Sequence, residues 1–275
     1  MAEVSRRRRS SAPHAPGEYP IAPETRKVFQ KVLRAFNRAK IPYSVAGAFA
    51  LHWYSGFWRI AKDLDLFLLP KHVQWGMRVL EGIGFSTRIR HPQWLAEGLL
   101  GDNKVDLIFG TGNWLAYVDE AYIEKARPGS ILGVPSRVAP AEELIYTKSF
   151  VASRERYDAA DVYHLLVATR GELDWDRILQ RFGEHWEVFL SHLVMFRYVY
   201  PSHRDLIPSH VLDELLARFE QTRREPWTGG KLCRGFLLDG IGTYSLDIEE
   251  WGYRDARQDA WEKLQREGER GIAAA

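Results

Sequence analysis

Asp63 and Asp65 stand one residue apart in Lys62-Asp63-Leu64-Asp65-Leu66-Phe67. In an extended strand, side chains alternate faces. Both carboxylates therefore project on one side, and Leu64, Leu66 and Leu68 on the other. Two carboxylates this close repel each other. On charge alone the pair admits two readings, a solvated strand face or a cation site. Mg²⁺, with Mn²⁺ as a substitute, suits the second, because a hard ion takes a few carboxylates and keeps positions for water and phosphate. A third carboxylate, Asp106, lies between apolar residues in Lys104-Val105-Asp106-Leu107-Ile108. If the two strands are neighbours, three carboxylates converge. Two ions about 3.5–4 Å apart then become feasible, one at an attacking hydroxyl and one at a leaving pyrophosphate oxygen. Asp102 reads as a turn former.

The elements that must position these groups are legible in outline. A helix opens at Pro23, carries Val28, Val32, Leu33 and Phe36 at helical spacing, and stops before Pro42. Residues 43–46 form a short strand, and Gly47-Ala48 begins a helix that ends near Gly56. Small residues at such a strand-to-helix turn let backbone N–H groups approach a phosphate at the helix N-terminus. Residues 62–69 are a strand, 73–83 a helix and 85–90 a strand. Residues 95–100 and 104–109 form a hairpin about Gly101-Asp102-Asn103. From residue 137 onward helical periods dominate, at 140–153, 156–169, 174–182, 185–199 and 208–222. Glu142 and Glu143 fall in the first turn of the first of these, where the helix dipole favours acids. Asp247, Glu249 and Glu250 read as a solvated strand-to-loop stretch, and a charged helix spans about 254–266.

Composition excludes several classes. With 45% hydrophobic and 27% charged residues the chain is an ordinary globular sequence. One cysteine, Cys233, rules out an internal disulfide framework. No apolar run is long enough to span a membrane. A net charge of +2 selects no partner. Residues 1–20, with Arg6 to Arg9 and four prolines nearby, read as a disordered basic tail. No apolar segment follows those arginines, so the expected compartment is the cytoplasm. The nine histidines show no zinc spacing, and no Walker loop or Gly-x-Ser-x-Gly occurs.

Taken together, Val45-Ala46-Gly47-Ala48-Phe49-Ala50-Leu51, Arg59, Lys62-Asp63-Leu64-Asp65-Leu66 and Val105-Asp106-Leu107-Ile108 resemble the nucleotidyltransferase superfamily typified by DNA polymerase beta. That resemblance implies that Asp63, Asp65 and Asp106 hold catalytic metal. It also implies that Gly47, Ala48 and Arg59 contact the nucleotide. Ala48 stands where the family has a second Gly or Ser, and Ala61 where many members have Thr. A second stretch resembles the abortive-infection (AbiEii-type) nucleotidyltransferases. It comprises Ala141-Glu142-Glu143-Leu144-Ile145, Lys148, Arg154, Arg156, Tyr157, Asp158 and Asp161. It implies that Lys148 reaches the triphosphate with Asp161 orienting it, and that an antitoxin is a partner. On spacing alone, Asp158 and Asp161 share a helix face, Arg154 and Asp158 make a routine surface pair, and Lys148 is an exposed lysine.

The expected fold is α+β: a small mixed-sheet nucleotidyltransferase domain over 21–136, then a mainly α-helical domain over 137–275. The expected function is Mg²⁺-dependent transfer of a nucleoside monophosphate from an NTP to an acceptor hydroxyl on an RNA end, a protein or a small molecule. The alternative is a non-catalytic nucleotide- or nucleic-acid-binding module that keeps the fold.

Overall fold

The structure, a computed structural model, describes residues 19–58, 63–240 and 242–273, with side chains to Arg266. It is a mixed α/β sheet followed by a helical half. Helix α1 (Pro23–Ala39) buries Phe29, Val32, Leu33 and Phe36 and ends at Lys40 in the left-handed region. Strand β1 (Tyr43–Val45) is buried throughout. It leads into α2 (Gly47–Ser55) and then β2 (Asp63–Leu68). Helix α3 (Val73–Glu81) crosses to the meander β3 (Ser86–His91), β4 (Leu95–Leu100) and β5 (Asn103–Ile108). Helix α4 (Glu120–Glu124) precedes a second hairpin, β6 (Arg127–Ile131) and β7 (Val134–Val138).

All seven strands join one sheet in the order β3-β4-β5-β2-β1-β7-β6. β2 runs parallel to β5 and antiparallel to β1. This order puts the two carboxylate-bearing strands side by side at the sheet centre. Leu64, Leu66 and Leu68 are fully buried on the opposite face. The β6–β7 hairpin was not anticipated from sequence. Pro128, Gly129 and Pro135 weaken its strand pattern, and Pro128 is tolerated because β6 is an outermost strand. Its turn residues Leu132 and Gly133 both have positive φ, 54° and 80°, as a two-residue hairpin turn of primed type requires. The sheet therefore runs to Val138, past the boundary expected at residue 136.

The helical half comprises α5 (Ala141–Ser149), α6 (Ala159–Ala168), α7 (Trp175–Phe182), α8 (Trp186–Val199) and α9 (Ser209–Thr222). Strand β8 (Leu232–Cys233), α10 (Gly235–Leu238), α11 (Ser245–Glu249), β9 (Arg254–Asp255) and α12 (Ala256–Ala273) complete it. Asp247 and Glu249 thus lie in a short helix, not in the strand-to-loop stretch expected. One apolar core continues from Phe29 through Leu66 and Leu144 to Phe189 and Leu215, so the two halves share an interior. Tyr19, assigned above to the basic tail, is instead buried against Phe49, His52 and Trp58. Among the described residues no helix is long and apolar enough to cross a membrane.

Candidate active site

The parallel register of β2 and β5 sets Asp65 directly opposite Asp106, and Asp63 opposite Lys104. Asp63, Asp65 and Asp106 each offer one carboxylate oxygen, and these oxygens lie within 4.8 Å of one another. The alternation that buries the leucines is what turns all three carboxylates to one face. Lys104, two residues before Asp106, shares that face. Its ammonium donates to Asp63 Oδ2 at 2.9 Å and to Asp106 Oδ2 at 2.8 Å. The other oxygen of Asp106, Oδ1, is buried with no hydrogen-bond partner. Among the described residues no hydrogen bond or ion pair reaches the Asp65 carboxylate.

These contacts set the protonation tendencies. Burial first, then the charges of Asp63 and Asp106, push the Asp65 carboxyl up to about 7, against the pull of Lys148 and Lys104. Burial also raises Asp106, with Lys104 opposing. Burial would lower the Lys104 ammonium, but its bonds to Asp106 and Asp63 outweigh that and raise it. Three oxygen donors on one face, one of them a buried oxygen without a partner, fit a hard divalent ion. A buried acceptor left unsatisfied is destabilising unless something occupies it.

Gly47 joins this cluster from α2. Its φ is +56°, and a Cβ there would stand 1.7 Å from Asp65 Oδ2. Only glycine both adopts that backbone and lets the carboxylate lie against it. The Ala46 N–H bonds the Asp65 backbone carbonyl at 2.9 Å, pinning the turn to β2. The first residues of α2, Gly47 and Ala48, therefore open their helix N-terminus beside the three carboxylates. Arg59, expected to contact nucleotide, lies outside the described residues, as does Ala61.

Helices α5 and α6 bring the second group. Lys148 is buried, not the exposed lysine expected. Its Nζ lies 2.6 Å from Asp161 Oδ2 and 3.1 Å from Asp158 Oδ2. Asp158 is fully buried and directly precedes α6, so the routine surface pair with Arg154 is corrected. Its partners include Lys148 and Arg156, the latter donating twice at 2.9 and 2.7 Å. Burial works to raise Asp158, yet these bonds hold it down to about 2. Lys148 acts electrostatically on Asp65, and Arg156 feels both Asp65 and Asp161.

Two residues escaped the sequence reading. Lys104 is one, although its two-residue offset from Asp106 already placed it on the same face. Glu97 is the other: buried on β4, it stands opposite Asp106 and pairs with Arg88 and, at 3.9 Å, Arg90. It extends the row of carboxylates one strand further, and nothing in its local sequence marks it. Arg156, named only as part of the AbiEii-like stretch, gains a definite partner in Asp158.

No family model and no curated protein sequence matches this chain. Solved structures with partial likeness include the antibiotic-resistance factor ANT(2'')-Ia, at 15% identity, 74% of this chain, 98% of that chain and a TM-score of 0.44. The lincosamide antibiotic adenylyltransferase LnuA, bound to lincomycin, has 14% identity over 53% of this chain and 96% of its own, with a TM-score of 0.38. An antigenic nucleotidyltransferase-like protein from Paracoccidioides brasiliensis has 15% identity over 67% of this chain and 94% of its own, with a TM-score of 0.44.

Proposed function

We propose that this chain is a metal-dependent nucleotidyltransferase that moves a nucleoside monophosphate from an NTP to an acceptor hydroxyl and releases pyrophosphate. The observation that carries the reading is the convergence of Asp63, Asp65 and Asp106 within 4.8 Å at a glycine-built helix N-terminus. Asp63, Asp65 and Asp106 are the residues that hold Mg²⁺ or Mn²⁺. A divalent ion bound there supplies charge neutralisation at the phosphate and acidifies an acceptor hydroxyl.

The chain's own residues do the rest. The N–H groups that open α2 receive phosphate oxygens, and the missing Cβ at Gly47 keeps that approach open. Ala48 contributes a backbone donor and no hydroxyl. Asp106, its carboxyl made more basic by burial, is the acceptor for the hydroxyl proton. Lys148 supplies a fixed positive charge for the triphosphate, held in place by Asp158 and Asp161. Positioning and charge neutralisation provide most of the rate in such phosphoryl chemistry. A binding module without metal chemistry has no use for three carboxylates converging on one face with a buried oxygen left unsatisfied, which favours the enzyme over the alternative.

The test is incubation with each NTP labelled at the α-phosphate, Mg²⁺, and either total RNA or a small-molecule extract. The reading predicts label in one acceptor pool and stoichiometric pyrophosphate. Label in neither pool, with every NTP and both metals, overturns it.

A further inference from the structure

We propose that Lys104 is a tethered counter-ion for the three carboxylates, an ammonium that occupies the position of a divalent cation and must be displaced when one binds. The proposal rests on the metal-holding reading of Asp63, Asp65 and Asp106.

Three observations lead to it. First, Lys104 Nζ touches two of the three carboxylates, at 2.9 Å to Asp63 Oδ2 and 2.8 Å to Asp106 Oδ2. Mg²⁺ sits about 2.0–2.1 Å from its oxygen ligands, so ion and ammonium cannot share those oxygens without strong repulsion. Second, Lys104 is not locked in place. Its side chain is 32% exposed, and among the described residues its partners are these two carboxylates. It can swing toward solvent on a flexible stem. Lys148, by contrast, is buried against Asp158 and Asp161 and cannot exchange so readily. Third, the ammonium offsets one of three negative charges, while among the described residues Asp106 Oδ1 is buried without a hydrogen-bond partner and no ion pair reaches Asp65. The arrangement is neutral enough to fold and still charged enough to draw a cation.

The consequence is ordered affinity. A bare divalent ion must evict the ammonium into water. An ion arriving with a nucleotide brings phosphate oxygens that accept the evicted ammonium. Metal and nucleotide therefore bind with positive coupling, and Lys104 is a positioning residue that sets its size.

Mn²⁺ is the probe, with free ion counted by electron paramagnetic resonance, using the full chain. Lys104→Met should bind Mn²⁺ alone at least tenfold tighter than wild type. Its melting temperature in chelator should fall below wild type, and Mn²⁺ should raise it by more. The factor by which α,β-methylene-ATP tightens Mn²⁺ binding should shrink in the variant. Lys104→Gln, which keeps a polar tip without charge, should behave the same way. If neither variant folds in chelator but both fold with Mn²⁺, the ion has replaced the ammonium and the proposal stands. Unchanged or weaker Mn²⁺ binding in folded variants overturns it, as does failure of both to fold even with Mn²⁺. Asp106→Asn separates the two readings. If that variant loses Mn²⁺ while the Lys104 variants match wild type, only the counter-ion proposal fails. If it binds Mn²⁺ like wild type, the metal reading fails as well.

Discussion

Between α5 and α7, Glu142 and Glu143 are buried facing arginines. Arg177 reaches Glu142 at 2.8 Å and Glu143 at 3.3 Å. Arg181 reaches Glu143 at 3.4 Å and takes Asp119 in a two-pronged contact at 2.5 and 2.7 Å. Every carboxylate there has a guanidinium. On β2 and β5 the terms are opposite: Asp63 and Asp106 share one lysine, and among the described residues no ion pair reaches Asp65. Burying a charge is costly unless it is paired. The first cluster meets that condition within the fold and joins the helical half together. The second does not, and a fold retains such a cluster where something else completes it. The difference separates a structural network from a site.

The largest effect that sharpens this contrast is on activity. Asp65→Asn and Asp106→Asn should each lower nucleotidyl transfer by about a thousandfold, the equivalent of about 4 kcal/mol of lost charge stabilisation. Asp65→Asn should not lower the metal-free melting temperature, because it removes a repelling charge and, among the described residues, breaks no ion pair. A variant that unfolds readily would make the triad structural. In the balanced cluster the expectation reverses. Arg177→Met leaves Glu142 and Glu143 short of a partner and should destabilise by about 3 kcal/mol, a fall of roughly 10 °C in melting temperature. Below that temperature transfer should persist, as an activity assay at 20–25 °C checks.

A pH titration gives the next effect. The folded Asp65 carboxyl titrates near 7, above its ordinary value of 3.8. A raised carboxyl stabilises the fold at low pH, and that contribution is lost as pH rises from about 4 through about 7. Metal-free protein should therefore lose on the order of 2 kcal/mol relative to Asp65→Asn between pH 5 and 8. Parallel denaturant midpoints for the two proteins across that range would contradict the assignment. The smallest effect is at the turn. Gly47→Ala must accept a left-handed backbone and displace Asp65, for about 1–2 kcal/mol of stability. Its metal affinity should fall more than its melting temperature suggests.

The triad was legible because its signals are local. Period-two alternation places Asp63, Asp65 and Asp106 on faces, and a glycine before a short apolar helix marks the turn. What pairs with what was not legible. Glu142 and Glu143 read as acids favoured by a helix dipole, whereas their partners Arg177 and Arg181 lie more than thirty residues along the chain. Lys148 and Asp158 looked exposed because long charged residues usually are. Each is buried by the other, together with Asp161 and Arg156. The β6–β7 hairpin stayed hidden because its prolines and glycine break the pattern that marked the other strands, and only the place of β6 at the sheet edge reveals why Pro128 is tolerated.

The most direct test of the contrast is the shift in melting temperature on adding Mg²⁺ with α,β-methylene-ATP to wild type, Asp65→Asn and Arg177→Met. A ligand that binds only the folded state at a hundred times its dissociation constant stabilises by about 2.7 kcal/mol, or roughly 5–10 °C here. The account predicts that rise in wild type, the same rise from a lower starting point in Arg177→Met, and almost none in Asp65→Asn. An equal rise in Asp65→Asn, or no rise in wild type, would contradict it.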